Sequence, residues 1–338
     1  MKAVGYTRFE PGQGPEVLED LTLGEPTPGP RDLLVQVAAV ALNPRDSKVR
    51  RSQPASPERP QVLGWDAAGT VVGVGSDVHH HAVGDEVYYA GSSDRPGCFS
   101  ERHVVDERIV GRKPSTLDFP AAAALPLTSL TAYEMLFDRL QIPLDDNAGG
   151  TLLVLGGAGG VPSMALQFAR RLTGLTVIGT ASREESRVWV ERMGAHHVID
   201  HRGDLAAQVR ELGLREHPLD YVFSTHPSAD AWRQLASVMA PQGRFGLIDD
   251  PEPLDLRLLK AKSVSVHWES MYTRSTFDTP DLGRQREILD TVADAVDAGT
   301  IASPATQHLG TIDAAGVRAA QEAIEAGSVI GKITLSGF

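Results

Sequence analysis

The chain has a single cysteine, Cys98, among 338 residues. One thiol cannot close an intrachain disulfide, and it cannot supply a four-thiolate structural zinc site. Such cysteine usage fits the reducing cytosol. Long apolar runs are also missing, none approaching the roughly 20 residues a membrane helix needs. The opening stretch, MKAVGYTRFEPGQGPEVLED, lacks the apolar centre of a secretory leader. A soluble, unprocessed, cytoplasmic protein is expected. Positive charge is short as well: 32 Lys and Arg stand against 44 Asp and Glu, a formal net charge of -12. Nucleic-acid phosphates are gripped by clustered cations, so nucleic acid is not an expected partner, and neither is a membrane. A small-molecule substrate is.

What is present suffices for packed cores, with 41% hydrophobic residues in a chain longer than one core usually supports. From Lys2 to about Thr116 the pattern is of short strands punctuated by Gly and Pro, including LLVQVAAVAL, AAGTVVGVG, GDEVYYAG and SERHVV. This predicts a β-rich, partly open barrel. After Pro120 the texture changes to helical stretches alternating with apolar strands: TLLVLGG, TVIGTAS, HHVIDH, LDYVFST and GRFGLID. Five strands separated by helices predict a doubly wound parallel sheet. The expected division is 1–121, 122–262 and a tail, 263–338.

The turn after the first of these strands reads Leu155-Gly156-Gly157-Ala158-Gly159-Gly160-Val161-Pro162-Ser163. A glycine-rich turn between a strand and a helix lets the backbone approach a pyrophosphate, and the helix start offers free N–H groups. Gly157, Ala158, Gly159, Gly160 and Val161 are therefore candidate cofactor contacts. Pro162 stands where the dinucleotide fingerprint has its third glycine. Proline is tolerated in a first helical turn because the N–H it lacks has no partner there. About 20 residues past the glycines, NAD-binding chains carry Asp or Glu for the ribose 2′-hydroxyl. Here the stretch is Thr180-Ala181-Ser182-Arg183, with Arg187 one helical turn on. Ser182, Arg183 and Arg187 suit a 2′-phosphate, which Arg binds through charge-assisted and often bidentate bonds. NADPH is the expected cofactor. Ser224 and Thr225 end the fourth strand, and Ile248 and Asp249 end the fifth, on the edge where a cofactor would lie.

The chain resembles the medium-chain dehydrogenase/reductase superfamily. Within it, the likeness is to zinc-free quinone oxidoreductases and zinc-type alcohol dehydrogenase-like proteins. The residues that carry it are Ala41-Leu42-Asn43-Pro44-Arg45-Asp46, Gly64-Trp65-Asp66-Ala67-Ala68-Gly69, Gly84-Asp85-Glu86-Val87, Pro126 to Tyr133 and the glycine turn. The segments Gly194 to Asp200, His267-Trp268-Glu269 and Gly331-Lys332-Ile333 add to it. The resemblance implies a GroES-like barrel domain beside a Rossmann domain, a tail that returns to the barrel, and a homodimer. In zinc-dependent members three side chains hold a catalytic metal; the matching positions are Asn43, Trp65 and Leu127, which implies no metal here. His79-His80-His81 lies in a polar loop, and the adjacent His196 and His197 of a strand face opposite ways, so neither group makes a metal site.

The resemblance also places Asn43, Asp46 and Lys48 beside the nicotinamide as candidate catalytic residues. Thr128 would bond the carboxamide, and Lys332 would reach the cofactor. Trp65, Tyr88, Leu127, Trp268 and Tyr272 would line an apolar substrate pocket. The resulting expectation is a zinc-independent NADPH-dependent reductase of quinones or α,β-unsaturated carbonyls. An enoyl reductase of a biosynthetic pathway and an NADPH-binding redox sensor with little turnover are the alternatives.

Overall fold

The computed structural model describes every residue except Ala148, His217 and His226. The chain forms two units, Met1–Leu130 together with Tyr272–Phe338, and Thr131–Met271.

The first unit opens with β1 (Lys2–Tyr6), β2 (Glu19–Thr22) and β3 (Asp32–Ala41), then the short helix α1 (Pro44–Ser52). There follow β4 (Gln61–Val62), β5 (Ala67–Val74), β6 (Glu86–Tyr89), β7 (Arg102–Asp106) and β8 (Val110–Arg112), then α2 (Phe119–Ala123) and α3 (Pro126–Tyr133), which the division after Leu130 interrupts. Antiparallel pairing dominates, with β3 as the hub between β5 and β7. Alternation along β3 buries Leu33, Val35, Val37, Ala39 and Ala41, as one-sided packing of a pleated strand requires.

The second unit holds β9 (Thr151–Val154), α4 (Gly160–Leu172), β10 (Thr176–Thr180), α5 (Glu184–Arg192) and β11 (His197–Ile199). It continues with α6 (Leu205–Glu211), β12 (Leu219–Ser224), α7 (Ala229–Val238), β13 (Met239–Leu247) and β14 (Ser265–Trp268). All six strands are parallel, in the order β11-β10-β9-β12-β13-β14. Its strands are apolar on both faces because helices cover both; Leu152, Leu153, Val154, Val177, Ile178 and Val222 are all fully buried. The strand order reverses between β9 and β12, which opens a crevice at their carboxyl ends.

The chain then returns to the first unit with α8 (Thr273–Thr276), α9 (Arg284–Asp297), β15 (Ala305–His308), α10 (Ala314–Glu325) and β16 (Lys332–Ser336). β16 pairs antiparallel with β3. Two boundaries differ from those expected. The helical texture after Pro120 begins inside the first unit, because α2 packs on β3 and β5. Residues 263–271 belong to the second unit, because β14 hydrogen-bonds to β13 as a sixth parallel strand. Among the described residues no helix is long and apolar enough to cross a membrane.

Candidate active site and cofactor cradle

In the second unit the turn Leu155–Gly159 leaves β9 at the switch point. Gly156 has φ +77°, and a Cβ built there would meet the Thr225 Oγ1 at 2.5 Å. At Gly157 a Cβ would press on the Thr180 carbonyl oxygen at 2.8 Å and on Val190 at 2.9 Å. Only glycine fits either place. The turn is fixed from both neighbouring strands. The Gly156 N–H donates to the Thr180 Oγ1 (3.0 Å), and the Thr225 hydroxyl donates to the Leu155 carbonyl (3.3 Å).

Gly159 caps α4, its carbonyl accepting from the Ser163 N–H (3.0 Å) and the Ser163 hydroxyl (2.7 Å). Pro162 lies in the first turn, where an N–H has no intrahelical acceptor, so it breaks nothing. The first-turn N–H groups of Gly160 and Val161 and the positive end of the helix dipole make this turn an anion cradle. Ser224, at the end of β12, is fully buried and its hydroxyl has no partner. Ile248 and Asp249 lie just past β13, both half-buried, with the Ile248 N–H on the Ser224 carbonyl (3.3 Å). A nicotinamide dinucleotide fits this set of glycines, free amides and orphan hydroxyl.

At the end of β10, Arg183 is the exposed N-cap of α5, held by reciprocal bonds between its backbone and Ser186. Arg187 donates to the Val198 carbonyl at 3.2 Å. A third arginine, missed in the sequence, completes the group: Arg202 donates to the Ser182 carbonyl (2.7 Å) and forks onto Asp200 (2.8 Å). Those hydrogen bonds hold the Asp200 carboxyl down to about 2. Arg202 follows β11, the sheet neighbour of β10; sheet order brings it there, and sequence distance hides it. No carboxylate stands on β10 or on the turn Ala181–Arg183.

The first unit holds a second cluster, and it is buried. Asn43 and Asp46 form the capping box of α1: the Asn43 N–H donates to Asp46 Oδ2 at 2.6 Å and the Asp46 N–H to the Asn43 carbonyl at 3.0 Å. Beside them, Asp66 accepts from the Leu127 N–H (2.7 Å), the Asn43 Nδ2 (2.9 Å) and the Lys332 ammonium (2.9 Å). The three donors of Lys332 are used on Asp66, the Leu42 carbonyl (2.7 Å) and the Asn43 Oδ1 (2.5 Å). Burial pushes the Asp66 carboxyl up, and Lys332, the Leu127 N–H and Asn43 oppose it. Burial raises Asp46 to about 7, against the opposing Asn43 N–H and Lys332. One Asp46 oxygen, Oδ1, has no partner.

This geometry places several of the expected site residues. Lys332 is 4% exposed and neutralises Asp66 in the interior. Tyr88 does not line a pocket: it is fully buried and its hydroxyl donates to the Leu289 carbonyl at 2.6 Å. The Thr128 hydroxyl turns back onto the Leu125 carbonyl (2.9 Å). Lys48 is exposed on α1, and Trp268 of β14 in the second unit is 55% exposed. Trp65 and Tyr272 are brought together, with Arg45 stacked at 4.9 Å and 4.1 Å from their rings.

The three positions that would carry metal ligands do not fit zinc. The Asn43 amide is bonded at both ends, Trp65 donates its indole N–H to the Ser92 carbonyl (3.0 Å), and Leu127 offers only a backbone N–H. The Lys332 ammonium already supplies a cation there. Among the described residues no group of three or more His, Cys, Asp or Glu could hold a metal ion.

Residues 29–115 match the family model of the alcohol dehydrogenase GroES-like domain, and residues 160–283 match that of the zinc-binding dehydrogenases. A zinc-type alcohol dehydrogenase-like protein of Staphylococcus aureus (strain COL) is 36% identical over 99% of this chain and 100% of its own length. A quinone oxidoreductase of Pseudomonas aeruginosa is 32% identical, covering 89% of this chain and 91% of its own. Among solved structures, a proposed zinc-dependent alcohol dehydrogenase from Rhizobium etli CFN 42 superposes with a TM-score of 0.94 at 49% identity, covering 100% and 98% of the two chains. A mycobacterial protein solved with NADPH gives 0.81 at 28% identity, covering 99% of each. With a GroES-like domain, a nicotinamide-binding parallel-sheet domain and relatives matched end to end, the chain belongs to the medium-chain dehydrogenase/reductase superfamily and is an oxidoreductase.

Proposed function

We propose that the protein is an NADPH-dependent, metal-independent reductase of quinones or α,β-unsaturated carbonyls. The observation that carries the reading is the trio Arg183, Arg187 and Arg202 around Ser182, at a strand end with no carboxylate for a ribose 2′-hydroxyl. Arginine forks bind a phosphate monoester through charge-assisted bonds worth about 1.5–3 kcal/mol each. The α4 N-terminus and the glycine turn would hold the pyrophosphate, with Thr225 and the buried Ser224 beside it. When bound, the cofactor supplies hydride.

Metal independence is supported by Lys332 standing among the vacated ligand positions. Without a Lewis acid, hydride transfer favours acceptors whose conjugation spreads charge onto oxygen, as in quinones and enones. The quinone oxidoreductase from Pseudomonas aeruginosa and the NADPH-bound mycobacterial protein agree with this reading. A homodimer fits the unpaired edge of β14, and the single buried thiol fits the cytoplasm. Light scattering of the purified chain tests the dimer.

The direct test follows NADPH and NADH absorbance with 1,2-naphthoquinone and a panel of alkenones. Turnover with NADPH favoured at least tenfold in kcat/KM is expected, and Arg183→Glu with Arg202→Ala should remove that preference. No turnover across the panel, or a preference for NADH, would overturn the reading.

A further inference from the structure

Arg45 differs from several arginines of this acidic chain that are tied to carboxylates. Arg50 bonds Glu325 at 2.7 Å, Arg95 bonds Asp32 at 2.7 Å and Arg108 forks onto Asp106. Arg45 has no hydrogen bond or ion pair among the described residues, and its buried Nε is without an acceptor. Its guanidinium is held by two rings, Trp65 at 4.9 Å and Tyr272 at 4.1 Å. Stacking on two rings holds the group while leaving its in-plane donors free.

A second unmet donor belongs to one of the stacking rings. Tyr272 is 7% exposed, and its hydroxyl, enclosed by protein, has no partner. An unmet guanidinium donor, stacked on a ring whose own hydroxyl is also unmet, calls for an oxygen acceptor. Nearby charge is partly balanced, because Lys332 neutralises Asp66. Arg45 itself is partly exposed, and it sits two residues from Asn43 and against Trp65, two of the three vacated metal-ligand positions.

We propose that Arg45, backed by Tyr272, is a carboxylate receptor, so that the substrates are flat conjugated acceptors bearing an acid group. The guanidinium fork matches a carboxylate bidentately. This specifies the substrate class within the reductase reading and rests on it for the chemistry. The binding claim needs no turnover.

The test is calorimetric titration of the full-length protein with cinnamate and with cinnamamide, which share shape and differ in charge. Cinnamate should bind at least tenfold more tightly. Arg45→Gln should abolish that preference. Arg45→Lys should retain part of it, since charge survives and the fork does not. Tyr272→Phe should weaken cinnamate a few-fold, which provides a second arm if Arg45→Gln melts early. Equal binding of acid and amide by the parent protein, or a preference that survives in Arg45→Gln, overturns the proposal. Quinone turnover in the parent protein would then still stand, so the two readings fail separately.

Discussion

Replacing Lys332 by Met should destabilise the first unit more than any surface change, and the structure sets the size. The ammonium is 4% exposed and meets three oxygens: Asp66, Asn43 Oδ1 and the Leu42 carbonyl. Its loss leaves the fully buried Asp66 with two neutral donors, the Leu127 N–H and Asn43 Nδ2. Breaking one side of a buried pair costs about 3–5 kcal/mol, because a charge remains without its counter-ion. For a unit of this size that is a fall of roughly 6–20 °C in melting temperature.

The sign with pH follows from Asp66, whose carboxyl is already pushed up by burial. Without Lys332 it rises further, so the penalty appears as pH increases and shrinks in acid, where the carboxyl is protonated in both states. Adding Asp66→Asn should recover more than half of the loss at pH 7. The amide oxygen can accept from Leu127, and Asn43, freed of the ammonium, can turn its own oxygen toward the new amide. Differential scanning calorimetry of the full chain from pH 4.5 to 8 reads all three proteins. A Lys332→Met melting temperature within about 2 °C of the parent, or a double variant no better than the single, would refute the argument.

Asp46, raised to about 7 against an unfolded carboxyl near 4, contributes stability that is present below pH 4 and fades as pH rises through 7. Asp46→Asn keeps an acceptor for the Asn43 N–H and should flatten that slope, on the order of 4 kcal/mol at most, in melting curves taken across the same range. Gly156→Ala should cost about 1–3 kcal/mol in cofactor binding or folding, since it adds a Cβ at φ +77° and 2.5 Å from Thr225. A raised NADPH KM or lowered melting point shows it, and an alanine variant equal to the parent in both contradicts it. Burial pushes the Cys98 thiol well up, so the native protein should react with a disulfide reagent only on the unfolding timescale. Rapid labelling at pH 8 would speak against that burial.

The parallel sheet was legible because apolar strands and helices alternate at regular spacing, and the glycine turn because it lies between a strand and a helix. Arg202 was not, since its place beside Ser182 depends on β11 lying next to β10, a pairing with no local signal. The surroundings of Lys332 and Tyr88 were hidden for a related reason. Lysine and tyrosine were read as groups that reach a ligand, but burial turned one into a counter-ion and the other into a donor to the Leu289 carbonyl. Arg45 escaped notice because its partners are rings distant in sequence, Trp65 and Tyr272. β14 was read as part of the tail, although four residues, Ser265–Trp268, suffice to add an edge strand.

The pairing of Asp66 with Lys332 also fixes an order of events during synthesis. Residues 131–271 form a contiguous segment and can fold while the chain is still emerging from the ribosome. The first unit cannot be completed then, because its β3 awaits β16 and its buried Asp66 awaits an ammonium translated 266 residues later. Until Lys332 and β16 have been made, the N-terminal strands carry an open edge and an uncompensated acid. A nascent chain stalled before residue 332 should therefore be a client of chaperones in its N-terminal half and protease-resistant in its middle.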